Sequence, residues 1–439
     1  MIARIVTGAA VLGAVVGALA LGGNMSVEPP VSTEGTTVAV TPARQEVACP
    51  GPLVTPSGGV GTDPELGGAA TDVTANTFLT GTTRTVGAGT ASDAVVGSAV
   101  ERVGGGDISG LAALTCSAPR ADQWIVAGET TVGASARLVL TNPSDSSVEA
   151  TVAAFGELGD LDSSRVVAIA PNDQAEVLLE GAVVDVAALA LHITATGTGV
   201  IAALQDSRLT GFQPNGTDWA VASAMGTELA LPGVGTGGSP TSVTTVRLLS
   251  PEGGTARLAL STPEGDALWE GVADLDLAPG VVVEVTVPQI DVGTVTVDSD
   301  SPVVAAAITT QTRPATAGVK GDTAQELRWI PSQLVGDDNE RGTVTVGYNE
   351  QVVVYAPRSG TFTLTDSNGT TVGTVQVKAG STAVVPIAVA PGTVITAGGG
   401  AAWTVLVRDG AFITALSPTR TTIDAQDVSV VQKRYVPSP

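Results

Sequence analysis

One short stretch constrains this chain more than any other, because the chain writes it three times. Val200–Arg208 reads V-I-A-A-L-Q-D-S-R, Val303–Arg313 reads V-V-A-A-A-I-T-T-Q-T-R, and Phe412–Arg420 reads F-I-T-A-L-S-P-T-R. Each is an apolar run that passes through hydroxyl or amide residues to a single arginine. A run of this length, rich in Val, Ile and Ala and bounded by turn residues, reads as a buried strand that closes a β-domain. Three copies predict three related units. Arg208, Arg313 and Arg420, at the same place in each, are then expected to do one repeated structural job, a salt bridge or hydrogen bonds to carbonyls of the next unit.

The stretches between the copies support this. Strand-like segments alternate with Pro and Gly turns in the same order in each unit, from Asn142-Pro143-Ser144-Asp145 through Pro251-Glu252-Gly253 to Pro357-Arg358-Ser359-Gly360, which is followed by a further turn at Asp366-Ser367-Asn368-Gly369. Asn-Gly is a hairpin signal in its own right, because both central residues of the favoured turn need positive φ. The aromatic markers Trp124, Trp219, Trp329 and Tyr435 recur at roughly 100 residues, the size of an immunoglobulin-like sandwich. Their placement argues for packing between units, with Tyr435 against an earlier one. The predicted fold is all-β: tandem immunoglobulin-like β-sandwich repeats at 121–225, 226–332 and 333–439, after an N-terminal transmembrane helix. A single interlocked β-body is the alternative architecture. Aromatic residues are only 3% against 54 Gly and 26 Pro, a mixture that favours many short strands over helices.

Before the repeats, residues 1–23 read as a transmembrane anchor or signal segment. Ile5–Gly23 carries no charge and is roughly long enough to cross a bilayer. Ala18-Leu19-Ala20 offers a cleavage pattern, but one basic residue and a long apolar run favour an uncleaved anchor with the remainder outside. Residues 24–48 read as a disordered linker, and 49–120 as a small β-subdomain. The only two cysteines, Cys49 and Cys116, flank that subdomain and suggest one disulfide in an oxidising compartment.

Catalytic material is sparse. The formal net charge of −23 sets nucleic acid aside as a partner. His192, the single histidine, alternates with apolar residues and reads as structural, so Ser-His-Asp and Cys-His arrangements lack their base. The carboxylate pairs Asp160/Asp162, Asp274/Asp276 and Asp298/Asp300, and the acidic turn Asp337-Asp338-Asn339-Glu340, read as solvated turns; a calcium site or a glycosidase pair are the lesser readings. No catalytic residue, cofactor or metal is expected.

C-P-G-P at Cys49, T-C-S-A-P at Cys116, D-Q-W-I-V-A-G from Asp122, L-V-L-T-N-P-S-D from Leu138, G-T-D-W from Gly216 and A-L-P-G-V from Ala230 together resemble an actinobacterial family of secreted or membrane-anchored proteins defined only as a domain of unknown function. The resemblance implies a cell-envelope setting and no particular activity. The expected function is a non-enzymatic extracytoplasmic scaffold or adaptor, tethered to the membrane and meeting an envelope protein or glycan. An accessory module for cell-wall polysaccharide, using Trp124, Trp219, Trp269 or Trp403, is the alternative, and a carboxylate-dependent hydrolase a third.

Overall fold

The computed structural model describes residues 46–55, 70–93, 95–211, 213–237, 239–317, 319, 321–337 and 339–420, and the backbone of 36–40 and 426–430. Two units separate. One holds residues 1–43 and 423–439, of which the described part is an antiparallel pair, Thr36–Val40 with Gln426–Val430. The other, Arg44–Thr422, holds the remaining sheets. No helix among the described residues is long and apolar enough to cross a membrane. The expected anchor, Ile5–Gly23, and the marker Tyr435 lie outside the described residues.

Three β-sandwiches follow one strand plan. In the first, one sheet runs Asp122–Ile125, Ala190–Ala195, Val148–Gly156, with Arg165–Ile169 and the short Gly159–Asp160 also on Val148–Gly156; the facing sheet runs Asp173–Leu178, Ala134–Asn142, Ile201–Thr210, Gln213–Val221. In the third, one sheet runs Thr371–Val377, Gly360–Asp366, Val394–Ala397, Arg341–Val344, Thr419–Arg420 and the facing sheet Ser381–Ile387, Asn349–Ala356, Ala402–Asp409, Phe412–Leu416. The second uses the same plan with a fusion. Gly293–Pro314 is one 22-residue strand whose first half pairs with Gly254–Thr262 and Met225–Val234, and whose second half pairs with Val243–Leu249 and Thr323–Pro331. It crosses between sheets through the alternately exposed Asp298–Pro302.

Two expectations are corrected here. Ile201–Thr210 and the second half of Gly293–Pro314 are equivalent strands, but their counterpart in the third sandwich is Ala402–Asp409. Phe412–Leu416 is the next strand of the hairpin, and Arg420 lies on a two-residue strand of the opposite sheet, paired with Arg341. The run F-I-T-A-L matched the other copies because any doubly buried strand selects small β-formers. Second, residues 24–48 are not all linker. Val47–Cys49 is a buried strand on Gly89–Ser92, and Thr36–Val40 pairs with Gln426–Val430, so 423–439 groups with the N-terminal residues and not with the third sandwich.

The N-terminal subdomain has two three-stranded sheets, Val47–Cys49, Gly89–Ser92, Thr83–Val86 and Thr71–Leu79, Gly97–Gly105, Gly110–Thr115. Too few large residues fill it alone, and its core borrows Val139, Ala203 and Trp219 from the first sandwich. The Cys49–Cys116 disulfide sits inside that core.

Four edge strands meet at the centre: Gly110–Thr115 and the last strand of each sandwich, Gln213–Val221, Thr323–Pro331 and Phe412–Leu416. A buried edge needs acceptors for its free N–H groups. Two carboxylates supply them. Asp218 accepts from the N–H of Trp329 (2.9 Å) and Ala113 (3.3 Å) and from the Thr414 hydroxyl (2.9 Å), so one side chain touches all four strands. Glu326 accepts from the Leu111 N–H (3.2 Å), the Ile413 N–H and Arg313 Nε (2.5 Å). Gly216, at φ +98, lets the strands close, since a Cβ there would stand 2.5 Å from the Leu327 nitrogen.

Replacing both cysteines by serine is expected to lower stability by about 4 kcal/mol, the chain-entropy value for a loop of this length, read from the first transition in chemical denaturation; the bond spans 67 residues. Burial raises the Glu326 carboxyl to about 7, against the opposing pull of Arg313. Its folded pKa thus exceeds its unfolded value, so the native state holds a proton that the unfolded state has released, and stability falls as pH rises from about 4.5 to about 7. Glu326→Gln should remove a slope on the order of 3 kcal/mol from the difference between variant and wild-type pH profiles.

Candidate functional site

The four junction strands end on the same side, and the connections leaving them frame a cleft of about 550 Å³. Thr115, Val221, Pro331 and Ser417 line it, each at or just after the end of one of those strands. Its walls are the segments that link the units together with the first strand of sandwich one, which carries Asp122, Gln123 and Trp124.

Three arginines stand in or at this cleft in a chain with only 20 basic residues. Arg341 is buried and held by Gln333 Oε1 and the Leu334 carbonyl, both at 3.2 Å, and by Asp337 at 3.4 Å. Arg420, half exposed, donates to the same Asp337. Burial pulls the Asp337 carboxyl upward, but the Asn339 N–H and the two guanidiniums hold it below the usual carboxylate range. Arg120 differs from both. Its backbone is bridged to Val200 (2.9 and 3.0 Å), an approach that requires Gly199 at φ +85, where a Cβ would meet the Arg120 carbonyl oxygen at 2.3 Å. Its side chain is exposed to solvent and has no carboxylate partner among the described residues; partial desolvation, with the charge of Arg420, lowers its pKa. The hydroxyls of Ser223, Ser417 and Thr419, all cleft residues, are buried without a protein hydrogen-bond partner.

Beside them Trp124 stacks on His192 at 4.3 Å and 6° between planes, and His192 Nε2 lies 3.2 Å from Asp122 Oδ2. The His-Asp pair has no hydroxyl or thiol bonded to the ring among the described residues, so it orients the stack.

Of the residues singled out by sequence, Arg208 pairs with Asp206 and Glu129 (2.8 Å each) within sandwich one, and Arg313 joins Glu326 and the Ser109 hydroxyl (2.7 Å) across to the N-terminal subdomain. Trp219 and Trp329 lie in the packing between units, and Trp329 Nε1 donates to Asp206 at 3.0 Å. Trp124, Trp219, Trp329 and Trp403 are each at most 5% exposed, and Trp269 is half-buried. Asp160, Asp162, Asp274, Asp276, Asp298 and Asp300 are exposed turn or strand residues, and no group of three or more metal-ligating side chains occurs among the described residues.

Sequence reasoning missed a different repeated arginine. Arg137 pairs with Glu176 (2.6 Å) and Arg247 with Glu284 (2.5 Å), each across the same two strands of successive sandwiches. Arg247 also donates to the Gly128 and Ala187 carbonyls of sandwich one (2.6 and 2.8 Å), tying the two together. The signal was present in R-L-V-L-T-N-P against R-L-L-S-P, and in A-E-V against V-E-V.

Fold and cleft define a tandem β-sandwich protein with a recess framed by its own linkers. The chain belongs to the family of unknown function DUF5719, whose model matches residues 68–388. No curated protein matches it. A solved structure described as "Biofilm associated protein - BSP domain" is similar at 11% identity over 81% of this chain and 67% of that chain, with a TM-score of 0.14, too slight a likeness to bear on fold or function.

Asp337→Asn should cost about 1–2 kcal/mol at neutral pH, most of it from the buried Arg341, because the Arg420 contact faces solvent and is screened. The thermal midpoint of the variant should converge on wild type in acid, once Asp337 itself is protonated.

Proposed function

We propose that the protein is a non-enzymatic scaffold or adaptor, held outside the cytoplasmic membrane by its N-terminal segment and engaging a cell-envelope protein or glycan. The observation that favours this reading over a sugar-stacking module is the fate of the tryptophans. Four of the five are at most 5% exposed. Stacking on a sugar needs an open ring face, and these rings fill sandwich cores and joints. The interlocked junction supports the same reading, since a rigid body holds binding surfaces at fixed separations.

Two measurements test it. Protease added to intact cells should remove the protein, and it should stay with the membrane pellet in high salt until detergent is added. Cross-linking in the intact envelope should give a discrete adduct with one envelope component. Protection from external protease, or release by salt alone, would overturn the tethered placement; turnover of wall polysaccharide by the purified chain would overturn the non-enzymatic reading.

A further inference from the structure

We propose that the cleft at the ends of the junction strands binds an acidic sugar, with Arg120 as the principal contact to its carboxylate or phosphate. Three features converge on an oxyanion carried by a hydroxyl-bearing skeleton. The first is charge. Arg120, Arg341 and Arg420 face Asp122 and Asp337 in the cleft, leaving a local positive excess on a body of net charge −23. Asp337 is already shared by Arg341 and Arg420. Asp122 lies against His192. Arg120 is therefore the guanidinium without an acid, among the described residues. Its planar fork suits a carboxylate or phosphate group in two-point contact.

The second feature is the set of hydroxyls. Buried polar groups are almost always bonded, yet the hydroxyls of Ser223 and Ser417, on two different linkers, and of Thr419, on a short strand, have no protein partner among the described residues. A serine or threonine hydroxyl both donates and accepts and turns to suit, which matches the mixed donor and acceptor groups of a sugar. Ser223 is fixed in place, since its backbone N–H donates to the Trp124 carbonyl at 2.8 Å. The third feature is size. A volume of about 550 Å³ lies within the range of small-ligand sites and admits one or two sugar rings. Such a site would be independent of whether the body serves as an adaptor.

The uronic acid and sugar phosphate forms share this chemistry, and calorimetry on the full 439-residue chain separates them. Glucuronate, glucose 6-phosphate, inorganic phosphate and neutral glucose are titrated at constant ionic strength. Saturable heat is expected with glucuronate, glucose 6-phosphate or both, and with glucose none. Arg120→Gln should weaken binding at least about tenfold, the scale of one charge-assisted contact. Arg120→Lys, which keeps the charge and loses the fork, should weaken it less. Ser223→Ala should cost about threefold to fivefold. Neither arginine variant breaks an ion pair shown in the structure, so both should keep the wild-type melting temperature. Absence of saturable heat with both acidic sugars would overturn the proposal. So would wild-type affinity in a folded Arg120→Gln protein, binding of glucose equal to that of glucuronate, or inorganic phosphate binding as tightly as glucose 6-phosphate.

Discussion

The structure depends on one buried carboxylate. Each sandwich ends in an edge strand, and an edge strand carries a row of N–H groups that would pair with any passing chain. Here the three edges and a fourth from the N-terminal subdomain are turned inward upon one another. Their spacing is not that of a sheet, so backbone groups cannot satisfy one another throughout. Asp218 fills the gap, bonding strands from all four bodies through one side chain. Shifting any sandwich at the centre while the seam stays closed would leave buried donors and a carboxylate without partners, so the bonds of Asp218 fix how the units align.

Burying charge is costly, and the junction balances it. Asp218 and Glu326 are both buried, and so are Arg313 and Arg328. Arg313 meets Glu326 directly. Arg328 has no carboxylate in contact among the described residues; it is held by the Gly233 and Gly235 carbonyls (3.1 and 2.8 Å) and feels Asp218 only at longer range. Burial, with the repulsion of Arg408, lowers its pKa to about 9, and it stays charged at neutrality. Arg313 and Glu326 offset each other directly, burial pushes both carboxyls upward toward their neutral forms, and each of the four groups is also tied by backbone groups. A mispaired edge would strand at least one of them, so the network selects alignment as well as holding it.

Much of this was legible in the sequence, and the limits have physical causes. Strand and turn order could be read because turn chemistry and apolar runs are local: Asn368-Gly369 does lie in the hairpin joining Gly360–Asp366 to Thr371–Val377, although only Gly369 takes positive φ and the Asp366 carboxylate closes the longer loop. The third arginine was misplaced because two adjacent buried strands, A-W-T-V-L-V and F-I-T-A-L, satisfy the same pattern and nothing local tells them apart. The important carboxylates were missed for the opposite reason. Paired aspartates such as Asp298 and Asp300 attract notice and lie exposed, whereas Asp218 is a single acid in G-T-D-W and Glu326 a single acid in E-L-R-W, whose value comes from strands about 100 and 200 residues away. Contact between distant edges leaves no local signature.

The cleft follows from the same junction. Four strands that run side by side with their C-terminal ends together must release four connections on one face, at Thr115, Val221, Pro331 and Leu416. Those connections cannot pack as strands and must clear one another, so they stand apart and enclose a recess. Linkers are also where sequence is least bound by core packing, which leaves room for Arg120, Ser223 and Ser417, while Arg341, Thr419 and Arg420 come from the short strand pair beside them. Arg120 shows the coupling: Gly199 pins its backbone to the first sandwich, and its side chain, still open to solvent, lines the cleft that the junction frames. A site built this way keeps its geometry only while all three sandwiches stay locked, so the buried carboxylates that hold the body together also fix the distances between the charges at its rim.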